Sequence, residues 1–249
     1  MNKSDCIVFD DVTIAYGTEE AVRNISFSVP NGEVFAIVGE SGSGKSTLVS
    51  AAFGMLKQAT ITGQILLNGI DISTLSDSDW RKLRGTEISM IFQNPSAYLN
   101  PNRTVENHFK DLFRAHDESY DASRVIDMLN LVHLDGGERI LQSYPFQLSG
   151  GMQQRLAIAL SLILKPTIVF ADEPTSALDI LVQASVLDLL REVTQALGAT
   201  VIIVTHNIKA AARIVHSIGV MNKGQLVEVG STEEVMACPK DEYTRILLD

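Results

Sequence analysis

Two stretches of this chain carry residues suited to phosphate chemistry, and they lie far apart. The first, GESGSGKS at 39–46, has the spacing G-x-x-x-x-G-K-[ST]. Its glycines, Gly39, Gly42 and Gly44, let backbone N–H groups curl around phosphates without Cβ clashes. A helix beginning there adds a partial positive charge. Lys45 is then expected to reach the β and γ phosphates, and the Ser46 hydroxyl to hold Mg²⁺. Glu40, Ser41, Ser43 and Thr47 complete the expected nucleotide cradle. The second stretch, LSGGMQQR at 148–155, also reads as a glycine-opened helix start. An N-cap serine at Ser149 explains the helix. It does not explain both Gly150 and Gly151.

Two acids close the apolar run TIVFADEP: Asp172 and Glu173. An acid at a strand end beside a P-loop is expected to contact Mg²⁺ through water. The next carboxylate could polarise an attacking water, worth something like 10²–10⁴ in rate. His206 follows a further apolar run, ATVIIVT. A lone histidine there is as readily structural as nucleotide-facing. Guanine recognition by N-K-x-D is not supported, because NKGQ at 222–225 puts Gln225 where the aspartate belongs.

These residues need strands that end together and helices that begin beside them. VTIAYG and NISFSVP alternate apolar and polar residues, as half-solvated antiparallel strands do. EVFAIVG has no such alternation and reads as a parallel strand buried on both faces. GQILLNGI is expected to turn at Asn68-Gly69, and IGVMNKGQLVEVG at Lys223-Gly224. From about 94 to 164 the pattern turns helical, and strand-type runs resume at 167–172, 199–205 and 217–222. The expectation is one α/β domain over 1–249: a P-loop NTPase core with an N-terminal antiparallel β subdomain and an inserted α-helical subdomain.

Composition narrows the function. The 249 residues carry a formal net charge of −10, which argues against nucleic-acid binding. Cys6 and Cys238 have no CxxC partner, so neither a disulfide nor a metal site is expected. The longest apolar run, LAIALSLIL at 156–164, falls short of the ~18 residues of a membrane span. The N-terminal MNKSDCIVFDD has no apolar export core. A cytoplasmic protein that meets a membrane only through partners is expected.

Taken in order, GESGSGKS, IFQNP, LSGGMQQR, IVFADE, SALD and THN make the chain resemble an ABC-transporter ATPase over essentially its whole length. The resemblance implies ATP as ligand and Gln93 as the Q-loop residue, a sensor of Mg²⁺ or of the attacking water. It makes His206 the switch histidine and Tyr16 the aromatic that stacks on adenine. It also implies a head-to-tail pair with a second ATPase subunit, in which Ser149, Gly150 and Gly151 cradle the γ-phosphate bound by the other molecule. IFQNPSAYLNP, RKLRGTEISM, ALDILVQASVLDLL and EYTRILL are similar to the oligopeptide, dipeptide and nickel uptake branch. That branch implies two transmembrane permease subunits, an extracytoplasmic substrate-binding protein, and a place on the inner face of the cell membrane. The ending at EYTRILL tilts the expectation towards nickel or a metal chelate. An ABC-type ATPase of a soluble enzyme complex, such as one of phosphonate metabolism, is the alternative. Asn207 and His216-Ser217 depart from the family's usual Asp and Asp-Arg, which puts local pairing there in question.

Overall fold

The structure is a computed structural model that describes residues 5–175 and 180–248. In chain order, β1 (Asp5–Tyr16), β2 (Glu19–Pro30) and β3 (Val34–Val38) lead into α1 (Lys45–Ala52). There follow β4 (Thr60–Leu67), β5 (Ile70–Asp71), α2 (Asp77–Leu83) and β6 (Ile88–Ile91). The next four elements are helices: α3 (Val105–Ala115), α4 (Ala122–Leu131), α5 (Glu138–Gln142) and α6 (Gly150–Leu162). The chain then returns through β7 (Ile168–Asp172), α7 (Ile180–Leu197), β8 (Thr200–Thr205) and α8 (Ile208–Ala211). It closes with β9 (Ser217–Asn222), β10 (Gln225–Ser231), α9 (Thr232–Ala237) and α10 (Glu242–Leu248).

Two sheets result. One is antiparallel, in the order β2-β1-β4-β5; the other runs β10-β9-β3-β8-β7-β6. In the second, β9, β3, β8, β7 and β6 are parallel and only the β9–β10 pair is antiparallel. The central strands have no polar face. Phe35 and Ile37 of β3 point into the core shared with the antiparallel sheet, while Val34, Ala36 and Val38 point into the core shared with the helices. β8 divides the same way, Ile202 and Val204 against Val201 and Ile203. This is why these stretches read as unbroken apolar runs. A ladder of Phe9, Phe27 and Phe35 rings, with centroids 4.7 and 5.0 Å apart, joins the two sheets. Each stacked pair adds ~0.5–1.5 kcal/mol beyond its buried area.

Parallel register brings four strand ends to one edge. Val38 pairs with Thr205, Asp172 with Val204, and Ile91 with Ala171. The segments after them hold the P-loop, His206, Glu173 and Gln93. Ligands of open α/β sheets bind at such carboxyl ends. The helices between β6 and β7 account for the helical pattern expected over 94–164.

Candidate nucleotide site

The P-loop is bent by its glycines and wedged against the end of β9. Gly39 has φ +154°, and a Cβ there would lie 2.1 Å from Met221 O. Gly44, the N-cap of α1, has φ +99°, and its Cβ would meet Ala21 O at 2.6 Å. No side chain caps α1, so its first N–H groups remain available to a ligand. Lys45 is only 4% exposed. Its ammonium donates to Gly39 O (2.8 Å), Glu40 O (2.7 Å) and Ser43 Oγ (3.3 Å). Burial pulls the Lys45 pKa below the ordinary lysine value, against the opposing pull of Glu173, Asp172 and Glu40.

Ser46 Oγ donates to Asp172 Oδ1 at 2.8 Å, joining the start of α1 to the end of β7. Burial pushes the Asp172 carboxyl above the usual aspartate value; the Ser46 hydrogen bond works the other way. Glu173 sits next, at φ +44°, a left-handed conformation that costs a non-glycine residue about 1–3 kcal/mol. Its N–H donates to Val204 O at 2.9 Å, which fixes that bend against β8. Its Oε1 lies 3.3 Å from Nδ1 of His206.

These groups border a cleft of about 410 Å³. Ser41, Gly42, Gly44, Lys45, Ser46 and Thr47 form one wall, with Glu173 beside them. The rest of the lining is Glu19, Glu20, Ala21 and Arg23 of β2 with Lys223 and Gly224 of the β9–β10 turn, none of which the motifs contain. Neither GTEEAVRN nor the turn at Lys223-Gly224 carries a motif that signals a site.

Not every expected residue reaches the cleft. The Glu40 N–H is taken by Tyr243 Oη of α10 at 3.0 Å, so this loop donor is used internally. Gly39 and Ser43 stand behind the wall, supplying oxygens to Lys45. Tyr16 is 43% exposed and does not line the cleft, although its register partner Glu19 does. Gln93 is exposed just beyond β6. Next to it, Met90, Phe92, Pro95, Tyr98, His108 and Leu160 help line a mainly apolar groove of about 190 Å³. The SALD stretch lies outside the described residues. Asn207 keeps a capping role, accepting from the Ala210 N–H at 3.0 Å, and His216 Nδ1 accepts from the Val34 N–H at 3.0 Å. Asn207 and His216 thus each hold a local hydrogen bond.

The second glycine stretch is elsewhere. Ser149 caps α6, its Oγ accepting from the Met152 N–H at 3.3 Å, and neither it nor Gly150 nor Gly151 lines the cleft. Two stacked aromatics, Tyr144 and the 68% exposed Phe146, precede it. Among the described residues no helix is long and apolar enough to cross a membrane.

The ABC transporter family model matches residues 22–176. The chain is 41% identical to the oligopeptide transport ATP-binding protein OppD of Lactococcus lactis subsp. cremoris, covering 94% of this chain and 71% of the relative. It is 43% identical to the dipeptide transport ATP-binding protein DppD of Bacillus subtilis, over 93% of this chain and 71% of that one. Among solved structures, cbiO1 of Clostridium perfringens, part of an ABC transporter complex, superposes with a TM-score of 0.82 at 30% identity, covering 94% of this chain and 92% of its own. A dimeric ATP-binding cassette in a post-hydrolysis state, bound to ADP and Pi, superposes at 0.78 with 31% identity, covering 91% and 98%. With a P-loop, a strand-end carboxylate pair and a histidine gathered at one sheet edge, the chain belongs to the ABC transporter family, among its ATP-hydrolysing subunits.

Proposed function

We propose that this chain powers peptide uptake across the cell membrane, working on its inner face with a second ATPase subunit, two permease subunits and an extracytoplasmic binding protein. The observation that carries the site is the junction of Ser46, Asp172, Glu173 and His206 beside the P-loop. Peptides are favoured over nickel by the names of the relatives, OppD and DppD among them. The apolar groove beside Gln93 suits a cytoplasmic segment of a permease.

In this reading the amides of Ser41, Gly42 and residues 44–47 and the Lys45 ammonium bind the ATP phosphates, while Tyr16 stacks on the base. Ser46 and Asp172 offer a hydroxyl and a carboxylate within 2.8 Å, hard oxygen donors that fit Mg²⁺. Their partners in such a site are phosphate oxygens and water, so no cluster of three acidic side chains is required. Bound there, Mg²⁺ would neutralise charge on the β and γ phosphates. Glu173 takes the proton of the attacking water, and His206, held on Glu173 Oε1, orients that carboxylate and the γ-phosphate. Gln93 reports the state of the site to the groove beside it. Ser149, Gly150 and Gly151 close on the γ-phosphate of a partner subunit and exclude bulk water.

The test is Glu173→Gln in the isolated chain. ATP hydrolysis should fall ~10²–10⁴-fold while ATP binding is kept and a closed dimer accumulates on gel filtration. Undiminished turnover would remove Glu173 as the base. Peptide as cargo is tested by reconstitution with the permeases and binding protein: peptide, not a nickel chelate, should stimulate turnover.

A further inference from the structure

The cleft lining beyond the P-loop includes a turn that no motif contains. β9 and β10 are joined through Lys223 and Gly224, at φ +46° and +83°, the two left-handed residues of a type I′ hairpin turn. The turn is fastened on two sides. Gly224 N–H donates to Ser43 O of the P-loop at 3.0 Å, and Gly224 O accepts from the Arg23 N–H of β2 at 2.7 Å. A Cβ at Gly224 would come within 2.9 Å of Ala21 O, so both backbone angle and space account for glycine there.

Neither accounts for Lys223. Its position favours Asn, Asp or Gly, and a lysine carries a backbone cost there. What the lysine adds is an ammonium on the cleft wall. Three cations line this cleft. Arg23 faces Glu20 at 3.6 Å, and Lys45 is held by three oxygens of its own loop. Among the described residues Lys223 is the cleft-lining cation whose side chain has no ion pair or hydrogen bond, and it is exposed.

We propose that Lys223 is a further nucleotide contact, bringing its ammonium to the phosphate chain of ATP from the turn that abuts the P-loop. The inference rests on the cleft being the ATP site. An ammonium complements a polyphosphate better than it does ribose hydroxyls, which suit the carboxylates of Glu19 and Glu20 on the same wall. Because Gly224 is bonded to Ser43, the backbone that carries Lys223 is fixed to the loop that cradles the same phosphates.

The test is calorimetric titration of the isolated chain with Mg-ADP and with a non-hydrolysable ATP analogue plus Mg²⁺. Lys223→Asn is the informative variant, since asparagine is at ease in a left-handed turn and removes the ammonium with its long stem. Its Kd should rise about tenfold, with Lys223→Arg recovering most of the loss and the unliganded Tm not reduced. Raising salt from about 50 to 500 mM should shrink the difference, as screening requires. If Lys223→Asn binds like wild type while Lys45→Ala does not bind, the cleft stands and Lys223 is not a contact. If wild type fails to bind, or Lys45→Ala binds equally well, the cleft reading falls and this proposal with it.

Discussion

The starts of α1 and α6 are both glycine-rich helix N-termini, yet they are built to opposite specifications. At α1 the backbone is forced: Gly39 and Gly44 take positive φ, each pressed against another strand, and no side chain caps the helix. At α6 the backbone is relaxed. Ser149 is an ordinary extended N-cap with φ −64° and ψ 163°, and its hydroxyl serves the helix itself. The first start lies in a walled cleft with its metal-type oxygens and carboxylates around it. The second stands exposed behind a pair of stacked aromatics. A cradle supported by strain and neighbours can bind alone. On the function proposed above, the relaxed, exposed one becomes a site only against another molecule.

The sharpest way to break that contrast is a matched pair of substitutions. Gly39→Ala should abolish ATP binding and lower stability, because its Cβ would collide with Met221 O of β9, backbone that cannot swing away. Gly150→Ala meets no left-handed requirement. It should leave Tm and ATP affinity near wild type and reduce only turnover, by ~10-fold or more through the lost approach to a partner's γ-phosphate. Calorimetry and steady-state hydrolysis on both variants check this. Equal loss of binding in the two would erase the distinction.

A smaller effect sharpens the same point at Asp172. Its folded pKa is raised chiefly by burial, so the ionised carboxylate opposes folding above that pKa. That cost disappears as pH falls below the unfolded value. Asp172→Asn keeps an acceptor for Ser46 and removes the charge. Without nucleotide or Mg²⁺ its Tm should exceed wild type by ~2 °C at pH 8, with the gap closing near pH 4. A variant that melts lower at pH 8 would show that the charge stabilises the unliganded site.

Much of this arrangement is legible in the chain. β3, β7 and β8 carry the apolar runs of strands buried on both faces, and the P-loop and carboxylate pair sit where those runs stop. What stays hidden depends on contacts between distant segments. β6 is only four residues long, ISMI, and becomes a strand by pairing with β7. α2 is a short helix whose capping box, Ser76 with Asp79, is a local signal easily passed over in SDSD. The second cleft wall is joined from β2 and the β9–β10 turn, segments separated by most of the chain, and no spacing rule connects them. Likewise nothing in GESGSGKS foretells that Tyr243 of α10 takes the Glu40 N–H.

Whether the α6 start serves another molecule is tested most directly by mixing two inactive variants. Lys45→Ala damages only the P-loop and Gly150→Asp only the second glycine stretch. If each site joins the P-loop of one subunit to Gly150 of the other, a dimer of the two variants has one intact site. An equimolar mixture should therefore recover roughly a quarter of wild-type ATP hydrolysis, since about half the dimers are mixed and each has one of its two sites. A mixture as inactive as its components would contradict the account and return both glycine stretches to the service of a single chain.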